Sequence, residues 1–228
     1  MSGELQTIAA ARTLAGKRSC FIGVGRPSTA AILARMVHNP DLVLVYESGT
    51  IGAKPHRIPL SIGDGELAET ADAVVSVPEM FNYWIGAGRV AVAFLGAAQI
   101  DRHANLNTTV IGRYEHPKTR LPGAGGAPEV AIGCPEVVVI APHSRRTFVE
   151  RLDFRTTSGA HTTAVITDLG VLAPRDGELA LTAVHPGITA AQVREATGWD
   201  LRIADRLETT PEPTGAELAA LRELLARG

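Results

Sequence analysis

Leu42-Val43-Leu44-Val45-Tyr46-Glu47-Ser48-Gly49 is the stretch that decides the fold. Its first five residues form an apolar run with β-branched members. It is too short for a helix and matches a strand buried on both faces, as in a parallel sheet. Asn39-Pro40 lies just upstream and stops a helix that begins at Pro27 and runs to about His38. Downstream, Glu47 emerges where the buried strand opens into a Gly- and Pro-rich loop, Ser48 to Gly65. A carboxylate in that place is partly desolvated. It serves either as a reactive group or as an acceptor of backbone hydrogen bonds that pins the loop, and position alone leaves both readings open.

Working outward, strand and helix signals alternate. Thr7 to Ala15 is an amphipathic helix ended by Gly16, and Ser19 to Val24 is a buried strand. Val90 to Ala97 and Glu136 to Ala141 are further strands, and Ser144 to Leu152 reads as helical. Val165 to Leu172 and Leu179 to Val184 form a late strand pair. Thr189 with Gln192, and Thr214 with Glu217, have capping-box spacing and start two final helices. The pattern predicts an α/β fold, an open and mostly parallel sheet with helices on both faces, in one domain.

Bulk properties exclude several function classes. The chain has 228 residues and a formal net charge of -2, with no basic stripe for nucleic acid. It shows neither a signal core nor a run long enough for a membrane span, so a cytoplasmic protein is expected. Cys20 and Cys134 sit in apolar stretches as buried thiols, and the seven histidines lack metal-ligand spacing. No metal site is therefore expected. Gly-x-Ser-x-Gly is absent.

In open α/β sheets ligands bind beyond the carboxyl ends of the strands. Three segments fall there: Gly23-Val24-Gly25-Arg26-Pro27-Ser28, Tyr46-Glu47-Ser48-Gly49, and Gly123-Ala124-Gly125-Gly126-Ala127-Pro128. The first is a poor dinucleotide fingerprint, because Ser28 stands where the third glycine belongs. The third could present N–H groups to a phosphate or an oxyanion, or be an ordinary flexible loop. Gln99, Asp101, Asn105 and Asn107 follow a strand and either line a site or build turns.

Taken in order, these segments resemble family I CoA transferases, in their β subunit. The resemblance runs through Gly23 to Pro27, Glu47-Ser48-Gly49, Ser61-Ile62-Gly63-Asp64 and Phe94 to Asp101. It continues through Asn105-Leu106-Asn107, His116-Pro117-Lys118-Thr119-Arg120 and Gly123 to Ala127. Within the family the chain is similar to the 3-oxoadipate and glutaconate types, and the stretch from Tyr46 to Asp72 to the 3-oxoadipate type in particular. The resemblance implies a CoA transferase-like fold over residues 1–228 and a separate α subunit as partner. It implies coenzyme A as substrate, with no permanently bound cofactor, and acyl-CoA and carboxylic acid substrates, succinyl-CoA among the donors. Glu47 would be the catalytic nucleophile that carries the acyl group and then CoA. Gly125, Gly126, Ala127 and Gln99 would bind CoA, with the backbone N–H groups of Gly125 and Gly126 near the thioester oxygen and Gln99 positioning. The alternatives are an acyl-CoA or CoA-linked ring-cleaving hydrolase on the same scaffold, whose ring-cleaving members depart from Glu-Ser-Gly, and a non-catalytic partner-binding subunit; the retained Glu47 argues against both. One departure appears here too: a Gly- and Arg-containing loop that follows the segment matching 153–159 in relatives is missing, and Gly159 leads almost straight into the next strand.

Overall fold

The computed structural model describes residues 2–23 and 25–227. Val24, expected to end the first strand, lies outside the described residues. Helix α1 (Ser2–Arg12) leads to strand β1 (Ser19–Ile22), helix α2 (Arg26–Val37) and strand β2 (Val43–Tyr46). The loop after Glu47 contains β3 (Thr50–Ile51), α3 (Gly65–Glu69) and β4 (Ala73–Val74). A single turn, α4 (Val77–Glu79), passes into a π-helix over Met80–Ile85. Then come β5 (Val92–Leu95), the small pair β6 (Gln99–Ile100) and β7 (Leu106–Asn107), and the hairpin β8 (Val110–Gly112) and β9 (Pro117–Arg120). Helix α5 (Ala127–Gly133) precedes β10 (Val137–Ile140), β11 (Thr162–Ile166), β12 (Gly170–Arg175) and β13 (Glu178–Val184). The chain ends with α6 (Ala190–Glu195), β14 (Arg202–Thr209) and α7 (Gly215–Ala226).

Ten strands form one sheet in the order β4-β3-β2-β1-β5-β10-β11-β12-β13-β14. Its centre, β2-β1-β5-β10-β11, is parallel, and the antiparallel pairings lie toward the two edges. Side-chain alternation divides the core between two faces. Cys20, Ile22, Leu44, Tyr46, Phe94 and Ile140 pack under α1, α2 and α7. Phe21, Val45, Ala93, Leu95, Val137 and Val139 pack under the π-helix, α5 and α6. Each central strand is apolar on both sides, which is why these segments read as unbroken hydrophobic runs.

The expected helix over 144–152 does not form. Those residues make a turn, and Phe148 bridges to Ile100 in parallel register. Backbone groups that a helix would have used are taken by neighbours instead: Val149 N–H donates to Ile100 O, and Phe148 O accepts from Gly198 N–H. The expected strand over 165–172 is cut in two by a turn at 167–169. There the Thr167 hydroxyl accepts from the N–H groups of Leu169 and Gly170.

Candidate active site

A cavity of about 470 Å³ opens at the carboxyl ends of β1, β2 and β5. Strand β1 connects outward to β2 on one side, and the chain then returns to place β5 on the other. This reversal is a topological switch point, where loops diverge and leave a crevice above the sheet. Phe21, Gly23 and Pro27 line one wall, Leu95 to Ala98 another, and Leu121 to Ala127 a third, with Glu47 among the lining residues.

The local fold explains where Glu47 points. Tyr46 is fully buried on the α2 side, where its hydroxyl meets Ser28 Oγ at 3.2 Å. Burial pushes the Tyr46 phenol up to about 12. Alternation then carries the next side chain, Glu47, to the opposite face, toward α5. The chain turns at once, with Gly49 N–H donating to Tyr46 O. Gly49 sits at φ 94°, and a β-carbon there would collide with the carbonyl oxygen of Val75. The turn therefore requires glycine.

Glu47 is half-buried, and its Oε1 accepts a hydrogen bond of 3.0 Å from Gly126 N–H. The carboxylate also stands against Gly125, within 3.5 Å of where a β-carbon would lie. The glycine loop is held by Thr108, whose hydroxyl donates to Gly123 O while its own carbonyl accepts from Gly123 N–H. Ala127 lines the cavity, but its N–H is spent on Ala124 O. Of the four N–H groups from Ala124 to Ala127, that of Gly126 is thus the one seen on the carboxylate.

Gln99 takes a different place from that expected of a CoA contact. It does not line this cavity; its Nε2 donates to Asp153, and its Oε1 accepts from Asn107 Nδ2 and Asp153 N–H. Asn107 in turn caps the turn into β8 by accepting from the N–H groups of Thr109 and Val110. Asp101 accepts from the N–H groups of His103 and Asn105. This polar cluster builds the scaffold behind Thr108 and the glycine loop. Among the described residues no group of three or more His, Cys, Asp or Glu could hold a metal ion, and no helix is long and apolar enough to cross a membrane.

Sequence reading missed Phe81. A β-carbon on Gly126 would collide with its ring tip and lie 3.1 Å from Glu47 Oε1. The signal available was Ser76-Val77-Pro78-Glu79, a capping box that starts the segment carrying this ring.

Comparison with known proteins agrees with this fold. The chain is 52% identical to a 3-oxoadipate CoA-transferase subunit of Pseudomonas knackmussii, over 99% of this chain and 94% of that one. It matches a solved structure of glutaconate coenzyme A-transferase from Acidaminococcus fermentans with a TM-score of 0.91, at 28% identity, over 98% and 94% of the two chains. It also matches Rhodococcus jostii IpdAB with a TM-score of 0.77, at 26% identity, over 98% and 93%. The family described as "Coenzyme A transferase" matches residues 4–196, and the chain belongs to that family as a CoA transferase subunit.

Proposed function

We propose that this chain is the glutamate-bearing β subunit of a CoA transferase, working with an α subunit in the cytoplasm. It moves CoA from an acyl-CoA, succinyl-CoA being the favoured donor, to a 3-oxo or dicarboxylic acid such as 3-oxoadipate. The observation that carries this reading is the Glu47 carboxylate, set in the cavity at the sheet's switch point with Gly126 N–H 3.0 Å from Oε1. That bond would also suit a carboxylate that merely pins a loop; its position on a ligand-sized cavity favours chemistry. The similarity to a 3-oxoadipate enzyme supports the choice of acid.

The chemistry follows from the groups present. Glu47 attacks the thioester carbonyl, the C–S bond breaks, and an acyl–glutamyl anhydride forms with release of CoA thiolate. The thiolate attacks the glutamyl carbonyl, frees the first acid and leaves CoA on Glu47 as a thioester. A second carboxylate attacks that thioester, expelling the thiolate and forming a new anhydride; the thiolate attacks the new acyl carbonyl, the anhydride C–O bond breaks, and Glu47 leaves as carboxylate. Whenever the glutamyl carbon becomes tetrahedral, one of its oxygens carries negative charge. Gly126 N–H already faces that oxygen in the resting carboxylate, so it stabilises the charge without reorganisation. Gly125 and Ala127 shape the wall beside it.

The test uses the assembled enzyme and an acyl-CoA donor with no acceptor acid. Intact-protein mass spectrometry should find a CoA adduct on Glu47, because transfer halts there until a second carboxylate arrives. Continuous release of free CoA at the full turnover rate, with no adduct, would instead identify a hydrolase on this scaffold.

A further inference from the structure

Three chain segments converge on the Glu47 carboxylate, and only two of them belong to the strand-end loops described above. The third is the arm formed by α4 and the π-helix. It is strapped to the Glu47 turn by Val75 N–H, which donates to Gly49 O at 2.9 Å. Its start is fixed by the reciprocal Ser76 and Glu79 capping bonds. Its wider winding is marked by Gly86 N–H donating to Phe81 O, a five-residue step. Such π-turns recur at functional sites. The arm lies directly on α5: a β-carbon on Gly126 would strike Phe81, and one on Gly133 would strike Ile85, seven residues and two turns further along. Ile85 is buried in the core and anchors the far end, while Phe81 is half-buried at the near end.

The ring tip of Phe81 and Glu47 Oε1 thus both border the space that a Gly126 side chain would fill. Resting on the reading of Glu47 as nucleophile, we infer that Phe81 is a positioning residue for it. The ring presses the Gly126 peptide to hydrogen-bond distance from the carboxylate and denies water the same approach. Both functions bear on the covalent intermediates. If water attacks the glutamyl-CoA thioester, its oxygen bonds to the glutamyl carbon, the C–S bond breaks, the thiolate takes up a proton, and Glu47 is regenerated as carboxylate with CoA lost. An apolar ring beside the carbonyl disfavours that attack while leaving the cavity side open to a carboxylate substrate.

The experiment compares wild type with Phe81→Ala, Phe81→Leu and Phe81→Met in the assembled enzyme. It measures kcat and KM for transfer, and the ratio of CoA released to water to CoA transferred. Phe81→Leu keeps a core contact but lacks the ring tip, so it serves if the alanine variant folds poorly. Both should lower kcat by about 10- to 100-fold, the effect of displacing a reacting group by an ångström or so, with a much smaller change in KM. Both should also raise the ratio of hydrolysis to transfer several-fold, and Phe81→Met, which restores reach and apolar bulk, should bring it back toward wild type. A wild-type ratio in the alanine and leucine variants, at full or reduced rate, would overturn the inference, because a merely structural role alters the amount of active enzyme and not its partition. Failure of the underlying reading shows separately, as absence of a Glu47 adduct in the wild-type enzyme.

Discussion

At the scale of single residues, the place of Glu47 on the cavity was legible because a short β-branched run ends abruptly in a carboxylate and a glycine. The partner group was half legible: the glycine loop was visible, but which N–H it presents depends on the bonds already spent within it. Ala127 N–H is consumed by Ala124 O, and it is Gly126 rather than Gly125 that donates to the carboxylate. Gln99 drew attention as a polar residue after a strand, yet its contacts with Asp153 and Asn107 are tertiary and nothing in its local sequence announces them. Two predictions belong here. Glu47→Gln keeps the size of the side chain and an oxygen for Gly126 N–H, but removes the proposed nucleophile. Transfer should fall by about 10⁴-fold or more, the scale of deleting a nucleophile, with the thermal midpoint nearly unchanged. Near wild-type transfer would show that Glu47 only pins the loop. Gly49→Ala forces a β-carbon into Val75 O at a positive φ. It should cost on the order of 1–3 kcal/mol in stability by denaturant titration, and it should also slow transfer, because the turn carries Glu47.

At the scale of elements, segments whose ends carry their own chemistry were readable. Both late helices start where expected, with reciprocal bonds between Thr189 and Gln192 and between Thr214 and Glu217. The segment 144–152 was not readable, because its backbone partners come from Ile100 and Gly198, remote in sequence. The π-helix was equally hidden, since its winding answers to close packing against α5. Helix α7 yields a prediction about acid stability. Glu217 caps it and makes a paired bond to Arg12 of α1, at 2.7 and 2.8 Å, and His38 Nε2 of the residue following α2 lies 3.1 Å from the same carboxylate. The Arg12 bond, with help from Thr214, holds this carboxyl at about 2 against an ordinary 4.5, and the residue is only 3% exposed. A carboxyl depressed in the folded state stabilises above its unfolded value and loses that contribution as pH falls through the folded value. Roughly 3 kcal/mol at neutral pH should therefore disappear between about pH 4.5 and 2. Glu217→Gln should lower stability at pH 7 and flatten the acid limb of a stability-versus-pH curve; an unchanged limb would assign the acid sensitivity to other groups.

At the scale of the whole molecule, alternating runs made the α/β class legible, but not the strand order that creates the switch point. Pairing β1 with β5 joins residues some seventy positions apart, and no local signal specifies it. That order also fixes where Gly159, the point at which the resemblance implies a missing loop, stands relative to the site. Thr162 opens β11, which runs parallel to β10, so Gly159 lies at the amino ends of these strands, whereas Glu47 and Gly96 lie at the carboxyl ends. Gly159 packs instead against the backbone of His103 and Ala104. Gly159 therefore stands away from the cavity walls. What the isolated chain does lack is cover. Gly96, Pro122, Ala124 and Gly125 line the cavity yet are exposed, and Glu47 is only half-buried. An acyl–glutamyl anhydride and the thioester that follows survive only where water is kept away. The chain by itself should accordingly show little transfer, and any acyl-CoA it consumes should end largely as free acid and free CoA. Adding the separately purified α subunit should restore transfer with ping-pong kinetics and suppress that leakage in the same titration, because one event, closing the open wall, governs both. Full transfer by the isolated chain, or recovery of transfer with leakage unchanged, would show that the partner supplies something other than cover.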